Sequence, residues 1–162
     1  MKKKVCRLSL IGVLFLGLII SMNAIVFADG KTLDQIIGAA KSQVTVVTAE
    51  QVITDMDSGK EFVLVDVRSP NDYEVGHLPK AINIPRGDLE FMIGKLYPNK
   101  DTEMVLYCRR GGASALSTKT LMDMGYKNVR SLKGAFKVWG ESGYPIYNRH
   151  GEFKMIAFEK KE

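Results

Sequence analysis

The sequence predicts an α/β protein with a mostly parallel sheet, on two observations. Five short runs rich in apolar or β-branched residues recur between residues 44 and 132. Between them lie segments with helical spacing or a helix start signal. Strands that alternate with helices are joined by crossovers, and crossovers make neighbouring strands parallel. With 162 residues, 46% hydrophobic and 25% charged, the chain has material for one core and lacks the composition of a disordered polymer.

Residues 29–43 form a lead-in segment, and its stretch "DGKTLDQIIGAAK" (29–41) reads as a short amphipathic helix. "VTVVT" (44–48) is a strand by its β-branched content, and Thr48 makes a capping box with Gln51 for a helix through about Ser58. "FVLVDV" (62–67) is nearly all apolar, which suits a strand covered on both faces. Ser69 and Pro70 open a short helix, since serine caps and proline suits a first turn. "AINI" (81–84) is a strand halted by Pro85, and "DLEFMIGKLY" (88–97) is apolar at 89, 92, 93 and 96, a helical period. "EMVLYC" (103–108) is a buried strand. Ser114 to Met124 is a helix ended by Gly125, a usual C-terminal stop. "NVRSL" (128–132) is the last strand of the cycle and "AFKVWGES" (135–142) the last helix, with Phe136 and Trp139 on its core side. The tail, residues 149–162, has three open readings: an added strand, an added helix, or no packing.

The net charge of +5 falls away on inspection of position. Lys2, Lys3, Lys4 and Arg7 lie in residues 1–28 with no acid, so residues 29–162 carry only +1. Such a body offers no general field for a nucleic acid. The first residues have the order of a targeting signal: a basic start, "MKKKVCR", an apolar run, "LSLIGVLFLGLII", then "SMNAIVFA". Val26 and Ala28 fit the small-residue rule for cleavage before Asp29. This arrangement reads as bacterial and predicts export, periplasmic or extracellular. The alternative is an uncleaved membrane anchor, because Leu8 to Ala28 holds no charge and is just long enough to span a bilayer. Cys6 precedes the apolar run and is not placed as a lipoprotein cysteine.

With residues 1–28 removed, Cys108 is the only cysteine left, and it has no partner for an intramolecular disulfide. It stands in "YCRRGGASAL" (107–116), where a strand ends and a helix begins. Ligands bind at the carboxyl ends of strands in such sheets. Gly111 and Gly112 let the chain curl with N–H groups inward, and the following helix turns its positive end to the same spot. An anion nest of this kind favours a thiolate, the nucleophilic form of cysteine. Arg109 and Arg110 add charge for a second anion, the substrate. Singly, a strand-end cysteine, a Gly-Gly turn and an Arg pair are ordinary features. Their order at this join points to chemistry.

From about Val44 to Ile146 the chain resembles a single rhodanese domain, bounded here as residues 44–148. "LVDVRSPNDYEVGHLPKAINIP" (64–85), "CRRGGAS" (108–114), "GYKNVRSLKGAFKVW" (125–139) and "SGYPI" (142–146) match that family's characteristic segments in order and spacing. The resemblance implies a doubly wound, five-stranded sheet with helices on both faces. It also implies a persulfide mechanism in which Cys108 takes sulfane sulfur from a donor and passes it to a thiophilic acceptor. Catalysis would rest on Cys108, with Arg109, Arg110, Gly111, Gly112 and Ala113 holding the substrate and Asp66, Arg68 and Ser114 as structural support. Related phosphatases and arsenate reductases place an arginine six positions beyond the cysteine, where this chain has Ser114. The shorter loop fits a sulfur atom. One position departs from the family: many active members carry arginine or another polar residue just before that serine, and here it is Ala113. A persulfide or polysulfide is therefore as good a candidate donor as thiosulfate.

In the family the positions of Asp66 and Arg68 form polar ties that brace the loop. His77 is read as structural, not as a base for Cys108, and His150 as solvated. Two histidines and one remaining cysteine make no metal cluster of recognisable spacing, and no phosphate-binding or dinucleotide loop occurs, so neither metal nor cofactor is expected. The expected partners are a small sulfur-containing anion and a thiol acceptor. Nucleic acid is not among them, and a membrane enters only with an uncleaved N-terminus. Two other readings remain: a noncatalytic module binding an anion or partner protein, and a thiol redox protein, which would want a resolving cysteine.

Overall fold

A computed structural model describes residues 30–155. Residues 1–28, where the sequence suggests an export signal or anchor, lie outside the described residues, as does the end of the tail. Helix α1 (Leu33–Gln43) is opened by a capping box between Thr32 and Gln35. Strand β1 (Thr45–Val47) leads into α2 (Ala49–Asp57), where Thr48 and Gln51 form the expected reciprocal cap. There follow β2 (Val63–Asp66), α3 (Pro70–Val75), β3 (Ile82–Asn83) and α4 (Leu89–Leu96). The chain continues through β4 (Met104–Tyr107), α5 (Gly112–Asp123), β5 (Val129–Leu132) and α6 (Ala135–Glu141).

The five strands make one sheet in the order β1-β5-β4-β2-β3, every pairing parallel. Strand β4 is therefore the centre, with both edges of its backbone paired. Its side chains alternate between two cores. Val105 and Tyr107 pack with Val52 of α2 and Trp139 of α6. Met104, Leu106 and Cys108 pack with Leu89 and Ile93 of α4 and Leu121 of α5. Helices thus cover both faces, as the near-continuous apolar runs of β2 and β4 require. Each fully buried aliphatic side chain in these layers contributes about 1.5–3 kcal/mol. A smaller cluster of Ala40, Val44 and Ala115 joins α1 to α5.

After α6 the chain forms an antiparallel hairpin, β6 (Ile146–Asn148) with β7 (Gly151–Phe153). The described part of the tail is therefore an added strand. An isolated backbone bridge between His77 and Tyr147 fastens the hairpin to the segment after α3. Trp139 is fully buried, and its indole N–H donates to the Pro145 carbonyl at 2.9 Å. Among the described residues no helix is long and apolar enough to cross a membrane.

Candidate active site

Cys108 is the first residue beyond the central strand, and its side chain is 5% exposed. The Gly111 N–H donates to Sγ at 3.1 Å, and Ser114 Oγ lies 3.7 Å from the same sulfur. Ser114 Oγ is in turn 3.1 Å from Ser131 Oγ on β5, both residues being buried. With a thiolate at Cys108, the Ser114 hydroxyl donates to sulfur and Ser131 donates to Ser114, so each proton in the chain has an acceptor.

The turn that permits this has a backbone cause. Gly111 adopts φ +88°, a left-handed conformation that other residues enter only with strain, and it carries the N–H into the cradle. Helix α5 begins at Gly112, two residues before the Ser114 start read from the sequence, so its first turn lies within the loop itself. Gly112 packs closely under α1: a Cβ there would stand 3.2 Å from the terminal methyl of Ile37 and require it to shift.

The loop's carbonyls face the other way. Phe136 N–H donates to the Cys108 carbonyl at 3.0 Å and Lys137 N–H to that of Arg109 at 3.1 Å. The first turn of α6 thus holds the outward side of the loop. Phe136 also supports a cation, because the Arg68 guanidinium sits 4.1 Å from its ring centroid.

Arg68 connects this to the strand below. Its main-chain N–H and Nε donate to Asp66 Oδ1 at 2.9 and 3.0 Å, and Nη2 donates to Asp66 Oδ2 at 2.5 Å and the Gly76 carbonyl at 2.6 Å. Asp66 is wholly buried. Burial alone would lower the Arg68 pKa, but hydrogen bonds and charge from Asp66 outweigh it and push it up. The Tyr107 phenol, also buried, accepts the Leu78 N–H at 3.1 Å. Burial, then the neighbouring Asp66 carboxylate, drives its pKa far upward.

The remaining sequence-predicted residues are more dispersed. Arg109 and Arg110 are both exposed, and they line different hollows. Arg109 shares one of about 350 Å³ with Arg68, Asp72, Phe136 and Phe153. Arg110 opens on another of about 510 Å³ on the β1 side. Ala113 packs against the same apolar cluster as Cys108. His77 stacks on Tyr73 with ring centroids 4.0 Å apart, and its Nδ1 lies 3.0 Å from the Tyr73 carbonyl. Its recorded partners are on α3 and β6. His150 is exposed. Sequence reasoning missed Ser131 and the first turn of α6. A signal for Ser131 existed: in "NVRSL" it alternates with Val129 and so holds a polar group on a core-facing position.

Comparison with known proteins bears on this geometry. A model of the rhodanese-like domain matches residues 48–142. The chain belongs to the rhodanese-like family. A curated rhodanese relative, the adenylyltransferase and sulfurtransferase UBA4 of Saccharomyces cerevisiae, is 33% identical over 103 residues. That match covers 58% of this chain but only 23% of the yeast protein, so the chain spans about a quarter of that relative's length. A sulfurtransferase of Allochromatium vinosum is 29% identical over 105 residues, covering 65% of this chain and 96% of that one. Among solved structures, a protein from Rhodopseudomonas palustris described as a possible tyrosine phosphatase has a TM-score of 0.67 and 32% identity. It covers 72% of this chain and 95% of its own. Sulfur transfer is the general activity that the curated rhodanese relatives support.

Proposed function

We propose that this rhodanese-family chain is an exported sulfurtransferase that carries sulfane sulfur on Cys108. One observation carries the reading: the Cys108 sulfur accepts the Gly111 N–H at 3.1 Å, at the end of the central strand. In the first half-reaction the thiolate attacks the outer sulfur of a donor. With thiosulfate the donor's S–S bond breaks and sulfite leaves with the electron pair. With a persulfide or polysulfide the leaving group is a thiolate or a shorter polysulfide. The terminal sulfur of the Cys108 persulfide is then taken by an acceptor thiolate, and the Cys108 thiolate departs. Gly111 and Ser114 supply donors to sulfur in its charged states, and donors fixed in advance require no reorganisation during reaction.

Export rests on the basic, apolar and small-residue order of residues 1–28. Arg109 and Arg110 provide charge for a dianionic donor on either side of the loop, and Asp66 and Arg68 brace it. A phosphatase reading is disfavoured because Ser114 stands where the phosphate-gripping arginine would be. Ala113 supports a second reading, a noncatalytic module that binds an anion or partner, since the position contributes no charge. Intact-mass measurement after incubation with thiosulfate or polysulfide separates them. The expected result is a gain of one sulfur atom, reversed by a thiol and absent in Cys108→Ser. No gain from any donor would replace the enzyme with the binding module.

A further inference from the structure

The hollow beside Arg110 has the make-up of a ligand site, and Cys108 is not among the residues that line it. It lies between α1, β1, the end of β5 and the cysteine loop, with a volume of about 510 Å³. That is within the range of small-molecule sites. Its walls include Val44, Val46, Ala115 and Leu132. Val46 is 47% exposed although it belongs to a strand of the main sheet, so apolar surface is left open to the hollow.

The charged residues that line this apolar floor have one sign, although Glu50 lies near enough to Lys133 to interact with it. Lys41, Arg110 and Lys133 line the hollow, and among the described residues no acidic one does. Among the described residues none of these three cations takes part in an ion pair. The concentration is local, because residues 29–162 carry a net charge of only +1. Three cations around an apolar floor suit a ligand with an apolar body and an anionic end. Gly111 and Ser131, which line the hollow, are also part of the hydrogen-bond network around the Cys108 sulfur.

We infer that this hollow is a binding site for an amphipathic organic anion, an aryl or branched alkyl body bearing a carboxylate or sulfonate. The body lies on Val44, Val46 and Leu132, and the anionic group sits among Lys41, Arg110 and Lys133. The site adjoins the cysteine loop and shares Arg110 and Gly111 with it, but Cys108 itself does not line it. Lys41, Val44 and Val46 precede the residues matched by the family model, and Lys41 comes from the lead-in segment.

Calorimetric titration of the full chain with naphthalene-2-sulfonate tests the assignment, and it needs no sulfur transfer. The expected result is saturable 1:1 binding, with the neutral naphthalene-2-sulfonamide weaker by about tenfold, as loss of a charge-assisted contact implies. Lys41→Glu and Lys133→Glu, at exposed positions, should each weaken the sulfonate by a similar factor. Val46→Phe, which fills the floor, should remove binding. Cys108→Ser should bind as wild type does, so failure of the sulfurtransferase reading would leave this one standing. No saturable binding would overturn the assignment. So would an affinity that neither charge reversal nor Val46→Phe changes by more than about twofold.

Discussion

Replacing Asp66 by asparagine should be among the most damaging conservative changes in this protein. The carboxylate is wholly buried and receives the main-chain N–H, Nε and Nη2 of Arg68. Asparagine keeps one carbonyl oxygen, which can still accept some of these donors, but removes the charge. The Arg68 side chain, 8% exposed, would then be a cation in the interior with no counter-charge, supported by the retained amide oxygen, the Gly76 carbonyl and the Phe136 and Tyr107 rings. Removing one partner of a buried pair costs roughly 3–5 kcal/mol, and the retained carbonyl puts Asp66→Asn near the lower end. For a domain of this size that is a fall in Tm on the order of 10–15 °C. Urea unfolding followed by the fluorescence of Trp139, the only tryptophan and fully buried, reads the change directly. The midpoint should drop with the slope unchanged. In an Arg68→Met background the same substitution should cost much less, since no cation is left to strand. A cost below about 1 kcal/mol, or an equal cost in both backgrounds, would refute the account of a tightly coupled pair.

Three further outcomes follow from specific contacts. Gly111→Ala forces a side chain into a φ of +88°, and should destabilise by about 1–2 kcal/mol while reducing sulfur loading by intact mass; unchanged loading would separate Gly111 from the cradle. Thr118→Val replaces a wholly buried hydroxyl that finds no hydrogen-bond partner among the described residues, and should raise stability by about 1 kcal/mol in urea unfolding, a loss of that size being the contrary result. Tyr107 holds its proton far more tightly folded than unfolded, where tyrosine ionises near pH 10; its contribution is thus complete below about pH 10 and declines as pH rises above it. Urea midpoints taken from about pH 9 to 11 should fall less steeply for Tyr107→Phe than for wild type, and parallel curves would contradict this.

Much of the sheet was legible because its strands announce themselves. "FVLVDV" and "EMVLYC" are too apolar to lie anywhere but between two layers, and they became β2 and β4. The capping residues Thr48 and Ser69 sit where their helices start, since a hydroxyl satisfies local N–H groups whatever the tertiary setting. Less legible were features set by distant contacts. The start of α5 was misplaced because Gly111 and Gly112 are poor helix formers taken alone. In the fold Gly111 caps the helix in a left-handed conformation and Gly112, against Ile37 of α1, begins its first turn. The cysteine loop's own residues were visible as a local pattern, but Ser131 and the amides of Phe136 and Lys137 arrive from 17 or more residues away. No local motif records them. The divergence of Arg109 and Arg110 into separate hollows is likewise a property of the folded loop rather than of the dipeptide.

The edge strand β1 has a practical consequence for where this domain can be cut. A fragment restricted to residues 48–142 would retain Cys108 and the whole loop, yet discard Thr45–Val47. Strand β5 pairs with β1 in parallel through Arg130, Ser131 and Leu132, so trimming would leave an unpaired row of amides and carbonyls along its outer side. The same cut removes the wholly buried Ile146 and the Pro145 oxygen that receives the Trp139 indole. Loss of Ala40 and Val44 would also uncover Ala115. An open strand edge beside freshly bared apolar surface is a template for self-association. The segment that matches the family and the segment that keeps its strand edge and apolar surface covered are therefore different lengths of chain, and the second should begin at or before Thr32, the cap of α1.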